Sequence, residues 1–247
     1  MTFKLEQEVI IGTLKKAVVR AFEYSGAAQA RARLSAAGKR DSVFIWIPKN
    51  AGSSFFNLYH RFGSAPKCKT LHQVEYRFPQ RGHVTFGHMD YANLVRSDFV
   101  SQSFNASSYK FCFSRNPFSR AVSLYFYLCG NRQDLTFLDF CRELSQKGAH
   151  PIGLYNRKEN SQCNPQVRWI EDLDMDFVGR VENISNDTAQ LMNAIGLQHE
   201  ALPFLNASKH AVYSKYYCRE SRDIIVDFYR KDFQQFGYRT EMTLDVT

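Results

Sequence analysis

Val43-Phe44-Ile45-Trp46-Ile47 is a continuous apolar run of strand length, the pattern of a strand buried on both faces. Residues 48–52 break it with a loop, and Ser53-Ser54-Phe55-Phe56-Asn57-Leu58-Tyr59 resumes with helical spacing. Further strands are predicted at Val84-Thr85-Phe86, Tyr109-Lys110-Phe111-Cys112-Phe113 and Phe177-Val178-Gly179-Arg180-Val181. Asn116 can cap a helix and Pro117 suits its first turn, so a helix runs from Pro117 towards Cys129. Thr136-Phe137-Leu138-Asp139 is a capping signal for another. Two more helices are expected over 186–195, stopped by Gly196, and over 221–236, stopped by Gly237. Strands alternating with helices predict an α/β fold: one three-layer domain over residues 41–247, with a mainly parallel central sheet flanked by helices.

Composition narrows the class without changing that picture. At 247 residues, with 44% hydrophobic and 23% charged positions, the chain can bury a sizeable core, which excludes collagen, disordered polymer and small disulfide scaffold. No stretch approaches the ~20 apolar residues of a membrane-spanning helix. The charge is +8, and residues 1–40 hold 8 Lys+Arg against 3 Glu, so +5 of it sits there. Residues 1–40 therefore read as a basic helical extension that packs on the main domain, with peripheral attachment to an anionic membrane surface as the other reading. The aromatic residues fall in apolar runs that suit a core, and nucleic acid is not expected as a partner. The six cysteines form no C-x-x-C pair and no zinc spacing, and they read as thiols in a reducing cytoplasm.

Two segments carry chemistry. In Pro48-Lys49-Asn50-Ala51-Gly52-Ser53-Ser54, a buried strand feeds a small-residue loop and then a helix. The unpartnered N–H groups and the dipole of a helix start favour an anion there. Ala51 and Gly52 would allow close approach of a phosphate, Ser53 and Ser54 add hydroxyl donors, and Lys49 adds a positive charge. This is not a Walker A loop, in which the Lys follows the last Gly, and no acidic residue is obviously placed for magnesium. In Ser114-Arg115-Asn116-Pro117, Arg115 ends a strand on the side where open α/β sheets bind ligands, and Ser123 lies two helical turns on. A guanidinium and a hydroxyl can hold a phosphate dianion together.

The first segment resembles the 5′-phosphosulfate loop of the sulfotransferases, and 114–125 resembles their 3′-phosphate motif, both in the style of the carbohydrate branch that includes heparan 2-O- and chondroitin 4-O-sulfotransferases. Asp176-Phe177-Val178-Gly179-Arg180-Val181-Glu182, Leu202-Pro203-Phe204-Leu205-Asn206 and 232–238 match further family segments in order. The resemblance implies a P-loop-like sulfotransferase fold. It also implies transfer of a sulfuryl group from 3′-phosphoadenosine 5′-phosphosulfate (PAPS) to a hydroxyl of a carbohydrate or similar acceptor, without a metal, leaving 3′,5′-adenosine bisphosphate (PAP). Lys49 would neutralise the leaving phosphate oxygen, Asn50, Ala51, Gly52, Ser53 and Ser54 would cradle the 5′ end, and Arg115 and Ser123 would hold the 3′-phosphate. Ser208 and Lys209 would close over the adenosine. His88, in Gly87-His88, resembles the family's catalytic His segment and is the expected base, with His83 as rival; His60 could line the cleft. Arg180 and Glu182 are expected to pair structurally, and 130–169, with Gln166 and Arg168, to recognise the acceptor. The Golgi members have an N-terminal anchor that this chain lacks, so a cytoplasmic, bacterial-type enzyme is expected, at the inner membrane surface if the extension attaches there. Two other functions stay open on the residues alone: a P-loop kinase-like enzyme, and a catalytically silent nucleotide- or polyanion-binding module. Regiochemistry and oligomeric state are not legible.

Overall fold

The computed structural model describes residues 10, 12–18, 21, 41–68, 74, 82–129, 135–147, 162–202 and 212–242. Four parallel strands form the sheet: β1 Ser42–Phe44, β2 His83–Thr85, β3 Tyr109–Ser114 and β4 Phe177–Arg180, in the order β2-β1-β3-β4. Beyond β2, residues 66–68 add a bridge, with Lys67 beside Thr85. Helices follow the strands as the alternation predicts. They are α1 Gly52–Gly63 after β1, α2 Tyr91–Arg96 and α3 Gln102–Ser107 after β2, α4 Pro117–Cys129 and α5 Phe137–Lys147 after β3, and α6 Ile184–Ala194 after β4. α7 Arg219–Phe228 and α8 Arg230–Phe236 follow towards the carboxyl end.

Strand alternation sorts the core into layers. Phe44 and Phe111 are in register and stack at 5.4 Å, and with Phe113 they meet Phe55 and Tyr59 of α1 and Leu191 and Met192 of α6. Val43 and Cys112 point to the opposite face, where Leu94, Phe99, Phe104 and Trp169 cover them. A third cluster joins α4, α5, α7 and α8 through Phe118, Phe140, Ile225 and Phe233. The predicted fold class is therefore the observed one, flanked by helices on both faces of a parallel sheet.

Three element expectations need correction. The apolar run 43–47 is buried throughout, yet the β1 ladder stops at Phe44. Ile45 N–H still reaches the Phe111 carbonyl at 2.8 Å, but Ile47 N–H turns back onto the Ile45 carbonyl, lifting the chain towards the loop. The helix predicted over 221–236 begins at Arg219 and breaks at Tyr229, after which α8 directs Asp232 into the interior. The short helices α2 and α3 escape the periodicity analysis because neither spans two full turns; Asp90 and Ser101 cap them. Of residues 1–40, only 10, 12–18 and 21 are described, all helical.

Candidate functional site

Parallel strands place their carboxyl ends along one crest, and the loops that leave them form the site. In spatial order the crest carries Lys67 beside β2, His88 after β2, Lys49 after β1 and Arg115 after β3.

The loop after β1 is held in an unusual conformation. Lys49 and Ala51 both have positive φ, 67° and 56°, which turns the chain abruptly into α1. Ala51 is the N-cap and offers no capping side chain, and the first turn holds no acidic residue. The α1 dipole therefore meets no acidic side chain in its first turn, while Ser54 N–H is already taken by the Ala51 carbonyl at 3.1 Å. Gly52 has a packing role as well: a Cβ there would lie 1.9 Å from Trp46 Nε1, so the glycine admits the indole against the helix start. Trp46 in turn stacks on Phe56 at 5.4 Å.

The face of α4 makes the facing wall, with Ser119, Ser123 and Tyr127 one turn apart. Arg115 Nε donates to Ser119 Oγ at 3.0 Å, and its Nη1 donates to the Lys49 carbonyl at 3.0 Å. Lys49 Nζ lies 4.2 Å over the Tyr127 ring. Ser123, nearly buried, sits between these two contacts on the same helix face. Burial lowers the Lys49 pKa, and the Arg115 guanidinium lowers it further. Arg115 is itself lowered by burial, against the attraction of Glu182. Two partly desolvated cations thus crowd one helix start, an arrangement relieved by an anion between them. The residues can hold a phosphate or sulfate group at this helix start.

Asn50, expected to help cradle the 5′ end, turns its side chain into the interior. Its side chain is buried, with Nδ2 donating to the Phe113 carbonyl at 2.6 Å and to Gln166 Oε1 at 2.7 Å. Gln166 is wholly buried, which corrects the expectation that it meets an acceptor; Arg168 instead pairs with Glu171 at 2.6 Å. Arg120, which no motif singled out for a role, is fully buried beneath the loop. It donates to the carbonyls of Pro48, Asn164 and Gln162.

His88 ends the β2 connection with Nδ1 2.7 Å from the Trp46 carbonyl oxygen. A carbonyl only accepts, so Nδ1 carries the proton and the neutral ring keeps its lone pair on Nε2. Burial lowers the His88 pKa to about 4; the Trp46 carbonyl opposes this, while Lys67, Arg120 and Lys49 add to it. His83 stands at the amino end of β2, the far edge of the sheet, bonded to Ser42 Oγ at 2.7 Å. Sheet polarity thus separates it from Lys49 and Arg115. His60 bonds the Ala65 carbonyl in the last turn of α1, away from the loop. Lys67, absent from every motif, lies 3.5 Å over the Trp46 ring, whose edge also meets His88.

Arg180 and Glu182 are structural but do not pair with each other. Arg180 Nη2 donates to the Phe236 carbonyl, and Glu182 accepts from Asn116 N–H at 2.7 Å and from Tyr238 OH at 2.9 Å. Ser208 and Lys209 lie outside the described residues. A cavity of about 910 Å³ opens on the β4 flank among Ser114, Met175, Arg180 and Lys231. None of Lys49, His88, Arg115 or Ser123 lines it, so chemistry and not cavity size locates the site.

Comparison with known proteins gives a match to the family model described as the sulfotransferase family, over residues 34–239. The chain is 31% identical over 105 residues to an uncharacterized protein of Archaeoglobus fulgidus, covering 42% of this chain and 82% of the relative. Among solved structures, a sulfotransferase from Alicyclobacillus acidocaldarius aligns at a TM-score of 0.47 and 15% identity, over 80% of this chain and 94% of that one. A mouse sulfotransferase complexed with PAP aligns at 0.45 and 14% identity, over 80% and 82%.

Proposed function

The chain belongs to the sulfotransferase family, and from that premise we propose that it moves a sulfuryl group from PAPS to a hydroxyl of a carbohydrate or similar acceptor. The observation that carries this reading is the joined pair of cations from neighbouring strand ends, with Arg115 bonded to the Lys49 carbonyl over an uncapped helix start. When bound, the donor supplies the sulfuryl group: its bridging S–O bond breaks as the acceptor oxygen bonds to sulfur.

Each residue then has a task. Arg115 and Ser123 grip the 3′-phosphate, and the N–H groups at the start of α1 hold the 5′ end. The Lys49 ammonium leaves the Tyr127 face to neutralise charge on the departing 5′-phosphate oxygen, a preorganised electrostatic contribution. Nε2 of His88 takes the acceptor hydroxyl proton; its partner at Nδ1 fixes the tautomer that can do so. The acceptor enters from the β2 flank, where His88 and Lys67 stand, since the donor occupies β1 and β3. The carbohydrate reading draws its support from the resemblance of both loops to that branch.

Sulfur-labelled PAPS offered with a panel of sugars, glycolipids and phenols tests this. Label should pass to at least one hydroxyl acceptor, with rates at least about a hundredfold lower in Lys49→Ala and His88→Ala, as for loss of an electrostatic or acid–base group. Transfer that persists unchanged in both variants would overturn the assignment of roles.

A further inference from the structure

The two grips come from loops far apart in sequence, yet they must match the fixed span of one nucleotide. Arg115 Nη1 on the Lys49 carbonyl is one link between them. Another, besides Arg120 on the Pro48 carbonyl and Asn50 on the Phe113 carbonyl, runs through Gln166, a wholly buried side chain on the 3-10 helix Gln166–Trp169. Gln166 Oε1 accepts from Asn50 Nδ2 at 2.7 Å and from Arg115 N–H at 2.9 Å. Its Nε2 donates to the Arg115 carbonyl at 2.8 Å and to Asp232 Oδ2 at 3.3 Å. A glutamine amide has two donor and two acceptor positions, and all four are used.

The pairing with Arg115 is of a special kind. One side-chain amide satisfies both the N–H and the carbonyl of the same residue, as a neighbouring strand would, just where β3 ends and Arg115 must aim its guanidinium. Through Asn50 the same amide fixes the loop after β1 to the Phe113 carbonyl. Gln166 is itself held from below: the fully buried Asp232 accepts the N–H groups of Gln166 at 2.8 Å and Val167 at 3.0 Å. Neither phosphate grip can shift relative to the other without breaking one of these bonds.

We propose that Gln166 is a positioning residue that sets the spacing between the 5′ and 3′ grips, so that selection for a nucleotide phosphorylated at both positions depends on it. The proposal rests on the reading of the cradle as a bisphosphate site. Its signature is a ratio: the affinity for PAP over that for 5′-AMP, which engages one grip only. An element that merely supports the fold would lower stability and leave the ratio alone.

Isothermal titration with PAP and with 5′-AMP measures the ratio in wild type, in Gln166→Met, which keeps the volume without the amide, and in Asn50→Ala, which cuts the link from the loop side while leaving Gln166 on Arg115 and Asp232. In Gln166→Met the ratio should fall at least about tenfold, the effect of misplacing one charge-assisted hydrogen bond, with 5′-AMP affinity within about threefold of wild type. Asn50→Ala should lower the ratio in the same direction, and it decides the matter alone if Gln166→Met does not fold. A wild-type ratio retained by the folded variants overturns the role of Gln166. A wild-type ratio of about one instead overturns the bisphosphate reading itself.

Discussion

Replacing His88 by Asn should change how the stability of this protein responds to acid. In the folded chain burial holds the His88 imidazole at about 4, and the unfolded chain returns it to about 6.5. Between these values the unfolded state binds more protons, so stability rises with pH there and is lost as pH falls from 6.5 towards 4. From pH 7 to pH 5 the loss due to this one group is about 2 kcal/mol, levelling at about 3 kcal/mol below pH 4. Asn offers an amide donor near the Trp46 carbonyl and cannot titrate. Urea unfolding at pH 7 and pH 5 should therefore show wild type losing about 2 kcal/mol more than His88→Asn, contributions of other groups cancelling in the comparison. Equal losses in the two proteins would mean that His88 titrates as an exposed histidine, and the buried neutral tautomer on which its proposed role as base rests would be refuted. The same environment bears on turnover, since an anion bound beside His88 raises its pKa. The acid limb of kcat, which reports the loaded enzyme, should lie at higher pH than that of kcat/KM.

Three other substitutions follow from the geometry. Gly52→Ala drives a methyl into Trp46 and should cost about 1–3 kcal/mol by overpacking, read as a lower Tm together with a shift in tryptophan fluorescence. Arg115→Lys keeps the charge but loses the fork shared between Ser119 and the Lys49 carbonyl, so PAP affinity should drop at least about tenfold while 5′-AMP affinity changes little. Lys67→Ala removes one of the three cations acting on His88, so the His88 resonance should titrate at higher pH in NMR while PAP affinity stays within about threefold of wild type.

The fold was legible because its signals are local. Apolar runs, the Asn116-Pro117 start and the Gly237 stop each announce themselves within a few residues, and α4 runs from Pro117 to Cys129 as expected. The meeting of Lys49 and Arg115 was legible for a similar reason: each stands beside the end of one of two neighbouring parallel strands. What could not be read is held by long-range partners. Gln166 lies 116 residues from Asn50 and 51 from Arg115, so nothing in its neighbourhood marks it as the join between loops. Asn50 is conspicuous in the sequence, but its side chain serves the interior. Gly52 suggests room for a phosphate, and its missing Cβ also makes room for Trp46. His83 and His88 look alike in sequence, each following a glycine; the direction of β2 sets them at opposite ends of a strand. Lys67 carries no motif and reaches the crest through a single bridge to Thr85.

Calorimetric titration of the wild-type chain with PAP, 5′-AMP and ATP tests most directly whether Lys49 and Arg115 hold two ends of one adenosine nucleotide. PAP should bind at least about tenfold more tightly than either of the others, the gain from a second phosphate held by a charged, partly buried guanidinium. Equal affinity for PAP and 5′-AMP, or tighter binding of ATP, would contradict it.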